Sequence, residues 1–79
     1  MNTAWAKVVK EYHALTAGPV DKAPLAEALK DLADGIRETD PWVASAAEEA
    51  IITLRIISGP EELPMIQEDL AAIEGRLRE

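Results

Sequence analysis

The chain contains no cysteine and no phenylalanine, a single histidine, and only three aromatic residues in 79. Without cysteine there are no disulfide staples, thiolate metal sites or sulfur nucleophiles, which fits a reducing compartment. One histidine cannot supply the paired Glu-x-x-His motifs of a carboxylate-bridged metal centre in a helical bundle, and zinc sites fail on the same ground. Glycine is scarce too. The four glycines, at 18, 35, 59 and 75, never cluster, so no phosphate-cradling loop is present. A calcium loop around Gly35 would need oxygen ligands where Lys30 and Leu32 stand. No segment approaches the roughly 20 apolar residues of a membrane span, and Lys7, Lys10 and Glu11 interrupt any apolar run near the start. A cytoplasmic location without membrane insertion is the expectation.

What the chain has in excess is negative charge. Fifteen acids stand against eight lysines and arginines, a net charge of −7. The balance is +1 over residues 1–20, −3 over 21–40 and −5 over 41–79. Such a surface repels a phosphate backbone, so direct nucleic-acid binding is not expected, whereas a partner with a basic surface is allowed. Adjacent carboxylates occur at Glu48 and Glu49, Glu61 and Glu62, and Glu68 and Asp69. Helical neighbours point about 100° apart, so no such pair forms a general acid/base couple, and solvation of a helix face is their ordinary role.

Apolar spacing predicts a single all-α domain over residues 1–79, with helices over about 3–16, 23–37, 41–57 and 61–78. In the first, Trp5, Val8, Val9, Tyr12 and Leu15 share a face, His13 lies at its edge, and Gly18 and Pro19 supply the stop. The second is the cleanest amphipathic segment. Leu25, Ala28, Leu29, Leu32, Ala33 and Ile36 fill one face, and Glu27, Lys30, Asp31, Asp34, Arg37 and Glu38 fill the other. Gly35 in its last turn marks either fraying or a close helix approach. Asp40 is a suitable N-cap for a third helix beginning with Pro41, and the short joint folds the two helices into a hairpin or a steep crossing.

The third helix, WVASAAEEAIITLRII, carries the most telling pattern. Trp42, Val43, Ala46, Ala47, Ala50, Ile51, Leu54 and Ile57 cover an arc of about 180°, while Ile52 and Ile56 fall on the far side with Ser45, near Glu48 and Glu49. Only a strip around Ala44, Glu48 and Arg55 looks built for water. Trp42 is expected to close one end of the core, with a partner anchor as the second option. In the last helix, Leu63, Ile66, Leu70, Ile73 and Leu77 are spaced three, four, three, four, a stripe of about 80° like the seam of a coiled coil. Ser58 and Glu61 have the spacing of a capping box, with a first turn at 60–63 and a regular helix from Pro64.

Seventy-nine residues bury only about 60–65% of the surface that the unfolded chain exposes, so helical hairpins packed as a bundle and completed by dimerisation are expected. The residues expected to meet a partner or a second copy are Trp42, Glu49, Ile52 and Ile56, or the seam of Ile66, Leu70, Ile73 and Leu77. No catalysis, cofactor or metal is expected. Acyl carrier proteins are acidic four-helix domains of similar size whose arm-bearing serine sits in Asp-Ser-Leu. Here Ser45 follows Ala44 and Ser58 follows Ile57, so that comparison fails. The resulting expectation is a small acidic protein-protein interaction module or regulator, homodimeric in the cytoplasm. The alternative is a phage-type inhibitor from a mobile element whose acidic face occupies a basic nucleic-acid-binding surface.

Overall fold

Helix-forming residues between proline and glycine breakers give four α-helices in a computed structural model that describes residues 3–17 and 21–78. They are α1 (Thr3–Ala17), α2 (Ala23–Ile36), α3 (Pro41–Ile56) and α4 (Leu63–Leu77), with one 3-10 turn at Pro60–Glu62 before α4. The expected stop at Gly18 and Pro19 lies outside the described residues. Each helix packs on the next in sequence, α1 on α2, α2 on α3 and α3 on α4, whereas α1 and α4 form no comparable interface. The radius of gyration, 11.6 Å, matches the roughly 11.6 Å of a compact domain of this length.

The joints follow from local chemistry. Ala23 N–H donates to Asp21 Oδ1 at 3.2 Å and Pro24 sits in the first turn of α2, where a missing N–H costs nothing. At the other end, the Ile36 carbonyl accepts from Thr39 N–H, Asp40 N–H and Thr39 Oγ1, which turns the chain into α3. Asp40 is the N-cap expected there, its Oδ1 accepting from Val43 N–H at 3.3 Å. The chain leaves α3 at Ile57, one residue earlier than expected, because this residue is extended, with ψ 140°. The Ile57 side chain is buried, and its carbonyl accepts from Lys22 Nζ at 2.7 Å, so a lysine ahead of α2 satisfies the end of α3.

The expected capping box does not form. Ser58 Oγ donates to Glu62 Oε1 at 2.9 Å, one residue beyond Glu61, and no side chain caps α4. The first turn expected at 60–63 is the 3-10 turn at Pro60–Glu62, and α4 starts at Leu63, one residue before the expected Pro64. Gly35 is not a point of close approach, since no other atom lies within 4 Å of where its Cβ would stand.

The core runs along the middle of the domain. Leu25, Leu29, Leu32, Leu54, Ile57, Ile66 and Ile73 are fully enclosed, each contributing about 1.5–3 kcal/mol of transfer free energy. α2 and α3 each bury five residues, α4 four and α1 only Val8 and Leu15. Ala44, expected to face water, is buried, because the core-facing arc of α3 is centred near Ala47 and Leu54 rather than near Ala50. Ion pairs tie neighbouring helices at the surface, Lys7 to Asp31 at 3.7 Å and Arg37 to Glu48 at 3.0 Å.

Candidate interaction surfaces

On α3, the four residues expected to meet a partner, Trp42, Glu49, Ile52 and Ile56, form part of an outer stripe. Trp42, Ser45, Glu49, Ile52 and Ile56 recur at three- and four-residue spacing within an arc of about 80°. The buried residues of the same helix, Val43, Ala44, Ala47, Ala50 and Leu54, face the opposite way. Every member of the stripe is exposed, Trp42 by 50%, Ile52 by 57% and Ile56 by 64%. From Trp42 to Ile56 it runs about 21 Å, the full length of the helix. Trp42 therefore does not close the core. Its position in the first turn of α3 points it outward, where Arg76 of α4 lies 5.7 Å from the centre of its ring.

Arg76 connects three elements at this end. Its Nε donates to Asp40 Oδ2 at 3.1 Å while its guanidinium covers Trp42. Partial burial raises the pKa of the Asp40 carboxyl, but the hydrogen bond from Arg76, the Val43 N–H and the guanidinium charge outweigh it, and the net shift is below the usual carboxylate range.

The seam on α4 lies elsewhere. Ile66 and Ile73 are fully buried, Leu70 is 7% exposed and Leu77 is partly buried against the core. The contact that these residues were expected to give a second copy is taken up inside the chain, against α3.

A second surface does not follow from the sequence pattern. Where α1 and α4 fail to close, a groove of about 400 Å³ is lined by Trp5, Val9 and Tyr12 from α1 and by Leu70, Ala71 and Gly75 from α4. His13, Gln67, Glu74 and Arg78 add its polar groups, with Arg78 bound to Glu74 at 3.0 Å. The Tyr12 and His13 rings lie 6.1 Å apart in a tilted arrangement. The periodic signal was there, since Trp5, Val9 and Tyr12 sit to one side of the buried Val8 and Leu15, but it reads as core until the helix pairing is known.

The chain matches no protein-family model, no curated protein and no solved structure. No helix among the described residues is long and apolar enough to cross a membrane.

Proposed function

We propose that the chain is a non-catalytic protein-interaction module or regulator, acting in the cytoplasm as a homodimer joined through the outer stripe of α3. One observation carries the reading: Trp42, Ile52 and Ile56 expose large apolar surface along a single helix face that points away from the chain's own core. Isolated exposed apolar residues are ordinary, but three large ones aligned on one helix face, with Ser45 and Glu49 between them, favour an apolar contact. A two-fold contact uses the same patch twice and closes on itself. Antiparallel pairing of two α3 helices sets Trp42 of one copy near Ile56 of the other.

The alternative, an acidic inhibitor that occupies a basic nucleic-acid-binding surface, draws on the net charge of −7. Its acids are partly engaged already, because Lys7 holds Asp31 and Arg37 holds both Asp34 and Glu48. Carboxylates matched by the chain's own bases fit a solvated surface better than a docking face.

Light scattering over a concentration series tests the homodimer. The expected result is twice the chain mass for the wild type and a monomer for Ile52→Glu and Ile56→Glu, with unchanged helical circular dichroism. A wild type that stays monomeric at millimolar concentration overturns it.

A further inference from the structure

The groove between α1 and α4 lies on other helices than the α3 stripe and stands independently of dimerisation. Its volume of about 400 Å³ falls at the lower end of the roughly 300–1,000 Å³ of ligand sites, a size for a small molecule. Two of the three aromatic residues in the chain, Trp5 and Tyr12, line it from one face of α1. Across from them α4 contributes Glu74 and, one residue on, Gly75, where an added Cβ would meet no side chain and no other helix within 4 Å.

We propose that this groove binds a small lipophilic cation, an organic ammonium or phosphonium with aromatic or branched apolar substituents. Aromatic rings attract a desolvated cation, and the Glu74 carboxylate opposite supplies the counter-charge when the ligand takes the place of Arg78 in its ion pair. The net charge of −7 acts in the same direction over longer range, drawing cations and repelling anions. Arg78 occupies Glu74 at 3.0 Å, but its side chain is 77% exposed and an exposed pair of this kind contributes little, so a cation with an apolar body displaces the guanidinium into solvent. Glu74 already holds one cationic group in that pair. A ligand that brings its own apolar body also buries the surface between the two helices, which the solvated guanidinium leaves open.

Calorimetric titration of the full chain with tetraphenylphosphonium and with tetraphenylborate, ions of nearly the same shape and opposite charge, tests the proposal. The phosphonium should bind at least about tenfold tighter than the borate. Gly75→Leu adds bulk to the groove lining at a position where the Cβ itself meets no neighbour, and should weaken the phosphonium by at least about tenfold while keeping the helical circular dichroism. Glu74→Gln should weaken it about fivefold and narrow the gap between the two ions. If Gly75→Leu fails to fold, Ala71→Leu fills the groove from the preceding turn. Borate binding as tightly as phosphonium, no binding of either ion at millimolar concentration, or full binding in the filled variant overturns the proposal.

Discussion

Asp40 caps α3 through Val43 N–H and at the same time accepts from Arg76 of α4, so one carboxylate holds the joint between α2 and α3 and fastens the last helix to it. Asp40→Ala loses both contacts and should lower the melting temperature by about 5 °C, the usual effect of a lost cap in a domain this small. Asp40→Asn keeps the capping oxygen and should lose less. The folded carboxyl ionises at lower pH than the unfolded one, so its contribution is complete above about pH 5, where the unfolded aspartate is almost fully ionised. It is lost as pH falls through the folded value. Between pH 6 and pH 3 the gap between the melting temperatures of wild type and Asp40→Asn should therefore narrow toward the acid end. Curves that stay equally far apart would remove the carboxylate from this role.

At the scale of one helix, the stripe on α3 is broken in its middle by Glu49. A carboxylate inside an apolar contact costs free energy on desolvation, so Glu49→Leu should tighten self-association by at least about tenfold, read as the dissociation constant in sedimentation equilibrium. An unchanged constant would place Glu49 outside the contact. Gly35 in the last turn of α2 has open space around it and no positive φ, so Gly35→Ala should stabilise the chain by about 0.5–1 kcal/mol in chemical denaturation. A loss of stability would mean that α2 needs the glycine backbone there. These elements also show where the sequence was legible. The amphipathic face of α2 and the Asp40-Pro41 start of α3 rest on local spacing and local hydrogen bonds, and both lie within one or two residues of their expected places. The turn before α4 lies within one residue of the expected 60–63, but the partner of Ser58 was less legible, because either of the two following glutamates is within its reach and it pairs with Glu62. The three-four spacing of Ile66, Leu70, Ile73 and Leu77 is the same whether the seam meets the same chain or another, so its burial against α3 was not in the pattern. The open edge between α1 and α4 depends on which helices pair, and periodicity within a helix is silent on that.

For the whole molecule, the competing electrostatic effects can be ranked. The ion pairs Lys7–Asp31, Arg37–Glu48 and Arg78–Glu74 are each about half exposed or more, and pairs of that kind contribute about 0–1 kcal/mol. Self-repulsion from a net charge of −7 is longer in range, and salt screens it more completely than it screens the contact pairs. Added salt should therefore raise the melting temperature by a few degrees between about 20 mM and 300 mM sodium chloride. The same ranking separates the two functional readings. Two copies that meet through apolar residues of α3 bring together like charges, so salt should strengthen homodimerisation, whereas an acidic face seated on a basic partner should bind more weakly as salt rises. Measuring the dimer dissociation constant across that salt range gives the sign directly. A dimer that weakens with salt would mean that ion pairs between copies, rather than Ile52 and Ile56, hold it together.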